Sequence, residues 1–277
     1  MGMDRFENII KRVTDELSQM DFVEGIVLGG SRAVGTATEA SDIDIGIYYN
    51  PETVDFDRMN EAAARLDDAH RAELVCRPGG WGQWVNCGGW LNMDGIPVDL
   101  IMRDMERVKN EVRESGEGRI SSHYQTGHPH AYLNVMYRGE LASSRVLYAG
   151  NEAFEKWKNE AESYPDKMRE AILSFFLFEA QFSCGFAETG AKKQDAYYMV
   201  GHLFRSVSAL NQVLFALNRK YCLNEKKAVM RIEGFEQRPE GYGEKVNRIF
   251  AAPGERAVES AGLLRELCDE VKCLCER

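Results

Sequence analysis

The sequence GGSRAVGTATEASDIDIGIYY, residues 29–49, holds most of the information about the first half of the chain. Within it, DIDIGIYY alternates, so Asp42 and Asp44 would lie on one face of a strand and the isoleucines on the other. The preceding stretch, FVEGIVLGG, is apolar, rich in β-branched residues, and stops at two glycines. We therefore predict a strand, a Gly-Ser turn, and a second strand that presents two carboxylates together.

A third carboxylate follows on a later strand with the same alternation. The dipeptide Asp94-Gly95 predicts a hairpin turn between GGWLNM and IPVDLIMR. In the second arm of this hairpin, Asp99 shares a face with Pro97 and Ile101. If this arm neighbours the DIDI strand, three carboxylates converge on one face of a sheet.

The order of the predicted elements favours an α+β fold, in which a small mixed β-sheet domain is followed by an α-helical bundle. Apolar residues recur at helical spacing in residues 4–19 and again after Pro51, between the predicted strands. Beyond residue 150 the chain reads as long amphipathic helices. We predict a first domain at 1–115, a connector at 116–150 and a helical domain at 151–277.

Two adjacent carboxylates repel each other, and each raises the pKa of the other unless a cation lies between them. Hard oxygen ligands favour Mg²⁺, which keeps several waters and shares phosphate oxygens of a nucleotide. The pattern therefore predicts that Asp42 and Asp44 bind Mg²⁺ together with a nucleoside triphosphate. Asp99 would ligate a second ion or take a proton from an attacking hydroxyl group.

The turn before the aspartates has features of a phosphate-binding site. Gly29 and Gly30 allow close approach of an anion to the backbone, because no Cβ intervenes. Ser31 can donate from its hydroxyl group and from its amide, and a short helix beginning here would add positive potential. Arg32 either adds charge at the phosphate or faces outward.

These residues resemble the signature of the nucleotidyltransferase superfamily of the DNA polymerase β type. That signature is hG[GS], then DhDh, then a third h[DE]h, and it maps onto Gly30 and Ser31, onto Asp42 and Asp44, and onto Asp99. The layout of a small catalytic domain followed by a helical bundle is similar to that of the aminoglycoside and lincosamide nucleotidyltransferases. The specific resemblance covers roughly residues 20–105.

The resemblance implies an enzyme that transfers a nucleoside monophosphate to a hydroxyl group of a small molecule, with Mg²⁺ held by the three aspartates. AMP from ATP is the expected donor group, with another nucleoside triphosphate left open, and an antibiotic of the aminoglycoside or lincosamide type is the leading acceptor. It also implies that the helical domain binds the acceptor. Many members of the family use a glutamate as the base, whereas the third position here is aspartate, so the general base stays open.

The resemblance further implies that a basic residue of the bundle touches the triphosphate. The stretch CLNEKKAV, residues 222–229, is the best candidate. In this interpretation Asn224 caps a helix whose first turn presents Lys226 and Lys227 as nucleotide-binding residues.

Two clusters have open roles. His123, His128 and His130 lie close together in sequence, and they either line a wall of the site or contact backbone groups; a metal role is the least favoured reading. Trp81, Trp84 and Trp90 either stack on a base or sugar or, as we prefer, cover the edge of the small sheet.

The composition limits the class of partner. The 277 residues include 34 Lys and Arg and 44 Asp and Glu, a net charge of −10, so no general nucleic-acid binding is expected. The N-terminal stretch is charged and amphipathic, no apolar run is long enough for a membrane helix, and the seven cysteines form no disulfide framework. A cytoplasmic protein with no membrane partner is expected, whereas the oligomeric state is not indicated.

Two other functions stay open at this point. The same chemistry acts on a protein or RNA target in some members of the superfamily, although the acidic balance argues against RNA. Alternatively, the chain is a non-catalytic nucleotide-binding module. Such modules generally lose a carboxylate or the Gly-Ser turn, and this chain keeps all of them.

Overall fold

The alternating stretches form a five-stranded mixed sheet in the computed structural model, which describes residues 4–251 and 253–276. The strands of this sheet are β1 (Val23–Leu28), β2 (Ile43–Tyr49), β3 (Cys87–Met93), β4 (Ile96–Asp104) and β7 (Arg145–Ala149). Their order is β3-β4-β2-β1-β7, and β2 and β4 are parallel, whereas the other neighbours are antiparallel. A separate pair consists of β5 (Ser122–His123) and β6 (Tyr132–Leu133).

One face of the five-stranded sheet is covered by two helices, α1 (Arg5–Leu17) and α3 (Phe56–Leu66). Alternate residues of the two central strands point into this core, and Ile43, Ile45, Val98 and Leu100 are all fully buried. The helix α3 begins after Asp55, whose carboxylate accepts hydrogen bonds from two amides of the first turn. The alternation that buries these apolar residues turns the aspartates to the other face.

The other face of the sheet is covered toward the carboxyl ends of β2 and β4. There Tyr48 packs against Phe154 of α6 (Glu152–Glu162), with ring centroids 5.3 Å apart. The guanidinium of Arg103 pairs with Glu140 of α5 (Val135–Ser143) at 2.9 Å and lies over the ring of Tyr137. The amino-terminal ends of the same two strands carry Asp44 and Asp99, which are partly exposed.

The contacts divide the chain into two compact units that alternate along the sequence. The first unit is Met1–Arg113 with Tyr137–Ser163, and the second is Glu114–Met136 with Tyr164–Arg277. These units differ from the boundaries predicted at 115 and 150. The reason is that β7, within the predicted connector, pairs with β1, and that α6 packs on the sheet through Phe154.

The second unit is mainly helical. Its long helices are α7 (Asp166–Lys193), α8 (Ala196–Leu217) and α11 (Ala257–Cys275), with the shorter α9 (Ala228–Ile232) and α10 (Tyr242–Phe250). Two further helices of the described residues precede this unit's long helices in the sequence, the single turn α2 (Gly30–Ala33) and α4 (Met105–Gly116). Buried apolar residues such as Phe176 of α7 and Leu210 of α8 form the core of the unit. None of the helices in the described residues is long and apolar enough to cross a membrane.

The predicted fold class, a small mixed sheet followed by a helical region, is confirmed. The predicted hairpin is also present, since Asp94 and Gly95 both have positive φ and join β3 to β4 directly.

Candidate active site

Two of the three aspartates are direct neighbours on adjacent strands. Asp44 of β2 and Asp99 of β4 are register partners in the parallel pair, so their Cα atoms lie about one strand spacing, ~4.8 Å, apart. Their side chains share the face of the sheet that is turned away from the α1–α3 core. The sheet itself therefore brings together two carboxylates that are 55 positions apart in sequence.

The third aspartate lies just outside the ladder. Asp42 precedes the first residue of β2 and is exposed, so strand pairing does not fix its position. The side chain of Arg32 contacts the backbone on both sides of this point: Nε donates to the carbonyl oxygen of Asp42 at 3.1 Å and Nη2 to that of Ser41 at 2.6 Å. The guanidinium also lies over the ring of Phe6, 3.7 Å from its centroid.

These contacts give Arg32 a structural role that the sequence did not reveal. The side chain holds the segment that enters β2, because two nitrogens of its guanidinium group donate hydrogen bonds to backbone carbonyl oxygens. Its predicted role in nucleotide binding stays a prediction. Phe6 lies in the first turn of α1, and no sequence signal connects it with the aspartates.

The Gly-Ser turn lies directly against Asp44. The amide of Gly29 donates to the carbonyl oxygen of Asp44 at 2.8 Å, which ties the turn to β2. Gly30 has φ +58°, and a Cβ built there would lie 1.8 Å from Asp44 Oδ2. Glycine is therefore required at this position for two independent reasons, its backbone conformation and the proximity of the carboxylate.

Ser31 lies within α2, which is a single turn from Gly30 to Ala33. So short a helix supplies amide donors near its start but little cumulative dipole. Of the two predicted phosphate-binding residues, Gly30 lies directly against Asp44, and Ser31 follows it in the same helical turn.

The acidic residues lie close enough to affect one another's ionisation. Burial, followed by the neighbouring charges of Asp44 and Asp42, raises the pKa of Asp99 to about 6. The negative charges of Asp44 and Asp42 therefore act on Asp99, and a bound cation would relieve this repulsion.

The donor set suits Mg²⁺ in its chemistry, since every candidate ligand is a carboxylate oxygen. In residues 4–251 and 253–276, however, no three His, Cys, Asp or Glu side chains already surround a single point as metal ligands. This is compatible with Mg²⁺, because that ion commonly takes one or two carboxylates and completes its shell with water and phosphate oxygens.

An exposed tryptophan lies beside Asp99 on the next strand of the sheet. Trp90 of β3 is the register partner of Asp99, and 60% of its surface is exposed. Its indole stacks on that of Trp81, with ring centroids 4.6 Å apart and an angle of 26°. A row of neighbours across three strands and the turn after β1 thus consists of Trp90, Asp99, Asp44 and Gly29.

The two lysines predicted to bind nucleotide are exposed residues of the second unit. The predicted cap is not present: Asn224 Oδ1 accepts from the amide of Lys226 at 2.7 Å, whereas α9 begins only at Ala228. Lys227 precedes the helix with a left-handed backbone, φ +62°, and so interrupts the expected helical turn. The role of Lys226 and Lys227 stays a prediction.

The three histidines have polar partners within the second unit. His130 Nε2 lies 3.1 Å from Glu179 Oε1, which Arg205 also approaches at 2.7 Å. The backbone amide of His130 donates to Glu225, and His123 Nε2 lies 2.8 Å from the hydroxyl of Ser121. These contacts agree with a structural reading of the cluster.

One family model supports the superfamily resemblance over part of the chain. Residues 9–119 match the family model described as a nucleotidyltransferase domain, and residues 138–226 match a domain of unknown function (DUF4037). No curated protein matches the chain. A solved structure of a nucleotidyltransferase-like protein from Exiguobacterium sibiricum has a TM-score of 0.48 and 8% identity, covering 98% of this chain and 74% of that one.

Proposed function

We propose that the protein transfers a nucleoside monophosphate, AMP from ATP, to a hydroxyl group of a small molecule in a Mg²⁺-dependent reaction. The observation that carries the proposal is the register of β2 and β4, which pairs Asp44 with Asp99 beside the Gly-Ser turn. The match of residues 9–119 to a nucleotidyltransferase domain supports nucleotidyl transfer as the general class of activity.

Each group has a role in this proposal. Asp42, Asp44 and Asp99 would hold Mg²⁺, and Gly30 and Ser31 would contact the phosphates of the nucleotide. When bound, Mg²⁺ would offset the negative charge of the triphosphate and of the carboxylates. The acceptor oxygen forms a bond to the α-phosphorus, the bond to the bridging oxygen breaks, pyrophosphate departs and the hydroxyl proton is released.

An antibiotic of the aminoglycoside or lincosamide type is the proposed acceptor class, and it rests on the resemblance of the motifs. The charge of the chain is consistent with it, because a net charge of −10 favours association with a polycation.

Pyrophosphate release with ATP, Mg²⁺ and a panel of such acceptors tests the proposal. Asp44→Asn and Asp99→Asn should each lower the rate at least about 100-fold, since each removes charge stabilisation worth several kcal/mol. Asp21→Asn is the matched control, because Asp21 is an acidic residue of the first unit whose side chain is 84% exposed and pairs with Arg58.

The proposal is wrong if the wild-type chain releases no pyrophosphate with any acceptor, or if the two active-site variants keep the rate of the control. Incubation of a cell lysate with labelled ATP and the protein tests whether the acceptor is a protein or an RNA. Label on protein or RNA, with none on the small molecules, would show that the acceptor is a macromolecule and that the transfer reaction is as proposed.

A further inference from the structure

We propose that Trp90 is the binding platform for the acceptor, which stacks on its indole next to Asp99. The expected ligand is a sugar- or cyclitol-sized ring that carries a hydroxyl group and an ammonium group. This inference rests on the proposed function and adds to it the place and the chemical class of the acceptor. It places the acceptor on the first unit, in contrast to the expectation that the helical domain binds it.

The position of Trp90 in the sheet is the first argument. Directly opposite residues of an antiparallel pair point to the same side, so Trp90 and Asp99 share the face of the sheet that is turned away from the α1–α3 core. Leu91 and Cys87 lie one and three positions from Trp90 along β3, and both belong to the α1–α3 core. The side chain of Trp90 therefore points to the other face of the sheet. Across the sheet, the phosphate-binding turn and Trp90 therefore flank the two aspartates from opposite sides.

The order of these groups across the sheet gives the proposed site a nucleotide side and an acceptor side. The turn at Gly29 and Gly30 adjoins Asp44, whereas the indole adjoins Asp99, about one strand spacing, ~4.8 Å, further on. A nucleotide whose phosphates contact the turn would lie on the Asp44 side, and an acceptor on the indole would lie on the Asp99 side. An in-line displacement needs the acceptor and the leaving group on opposite sides of the phosphorus, and this order of groups allows it.

The indole is exposed but well supported. Trp81 stacks beneath it and in turn covers Gly88, where a Cβ would lie 2.3 Å from the Trp81 ring. The backbone of Trp90 is held by the β3–β4 ladder and by Arg71, whose Nη2 donates to its carbonyl oxygen at 3.1 Å. An exposed aromatic ring with so little freedom binds a flat or C–H-rich face at low entropic cost.

A depression of about 280 Å³ adjoins the indole and gives the size of the ligand. Trp90, Pro97 and Asn92 line it together with Asp68 and the ion pair of Asp67 and Arg71. The volume lies just below the range of drug-sized sites, so it suits one or two rings. Asp67 offsets the charge of Arg71 in this lining, so Asp68 and the aromatic face favour a positive charge there, as does Asp99 beside the indole, which indicates the ammonium group.

The test measures acceptor binding and catalysis separately in Trp90→Ala and Trp90→Phe. Kanamycin is the cationic ring probe, sucrose is the neutral one, and Tyr124→Ala is the control, since Tyr124 is an aromatic residue with 91% of its surface exposed. Trp90→Ala should raise the KM for kanamycin about 10-fold, the loss expected of one cation–π and stacking contact, and leave the KM for ATP within about 2-fold. Trp90→Phe should recover most of the loss because a ring remains.

Direct binding of kanamycin without ATP, followed by calorimetry, distinguishes failure of this inference from failure of the proposed function. Weaker kanamycin binding in Trp90→Ala than in the wild-type chain, without any transfer in either, would leave the platform standing and overturn the proposed function. Transfer at an unchanged KM for kanamycin in Trp90→Ala would overturn the platform alone. A raised KM for ATP instead would assign the indole to the nucleotide base, and stronger binding of sucrose than of kanamycin would overturn the cationic class.

Discussion

The substitution Gly30→Ala examines whether the turn and Asp44 form one functional unit. A Cβ at residue 30 would lie 1.8 Å from Asp44 Oδ2 and 2.7 Å from its Cγ. Contacts of a Cβ under 3.0 Å are essentially never observed, so the carboxylate oxygen must move by at least 3.0 − 1.8 = 1.2 Å, or the turn must move instead. Either change separates the Gly-Ser turn from the carboxylate.

The energetic cost of this substitution has two parts. A left-handed backbone costs a non-glycine residue about 1 kcal/mol, and displacing Asp44 from its rotamer adds about 1 kcal/mol more. The loss of activity should be much larger, because a misplacement of ~1 Å in a reacting constellation lowers rates about 100-fold. We expect Gly30→Ala to lose about 2 kcal/mol of unfolding free energy and about 100-fold in the rate of pyrophosphate release.

Gly35→Ala is the matched control. Gly35 has φ +73°, so alanine there suffers the same backbone penalty, but none of the described atoms lies within 4 Å of its Cβ position. Urea denaturation should show a loss of about 1 kcal/mol with the rate of pyrophosphate release almost unchanged. Equal activity losses in the two variants would refute the reasoning, since backbone strain alone would then explain both.

Three further perturbations have definite expected outcomes. Arg32→Lys should lower the rate of pyrophosphate release about 10-fold with little change in melting temperature, because lysine lacks the planar fork that places one N–H donor at the carbonyl oxygen of Ser41 and another at that of Asp42; an unchanged rate would contradict the bracing role. Arg138→Met should cost about 3 kcal/mol in urea denaturation, because this fully buried guanidinium donates to the carbonyl oxygen of Val112 at 2.8 Å, whereas the half-exposed Arg145→Met should cost under about 1 kcal/mol. Hydrogen bonds from Arg71 hold the pKa of buried Asp67 well below its usual range, so its contribution to stability is present above about pH 4 and is lost as the pH falls further; Asp67→Asn should destabilise the chain at pH 7 and flatten the acid limb of its stability profile, and parallel profiles would contradict this.

Much of the acidic face was predictable because its local patterns are strong. The period-two alternation assigned Asp44 and Asp99 to faces, and burial of the intervening isoleucines and leucines enforces that assignment. A two-residue turn at Asp94-Gly95 also fixes the register of its hairpin, so the pairing of Trp90 with Asp99 was already implicit in the sequence. The exposure of Trp90 was not predictable, because it depends on which distant segments pack around the indole.

The remaining features depend on contacts between distant segments. No local signal indicates that residues 145–149 pair with β1, because a short edge strand carries little periodicity of its own. The bracing role of Arg32 required Phe6 and the carbonyl groups before β2 to lie within reach of one side chain. The expected cap at Asn224 failed because its side chain bonds the amide two residues on, which competes with helix formation at that point.

The alternation of the two units along the chain has a consequence for biosynthesis. The sheet that carries the aspartates lacks an edge strand until residue 149 has left the ribosome, and Phe154 must follow before Tyr48 is covered. A nascent fragment ending near residue 115 therefore leaves β1 with an open hydrogen-bonding edge, a common starting point for aggregation. Shortened versions of this protein should accordingly extend at least to Ser163, the last residue of the first unit.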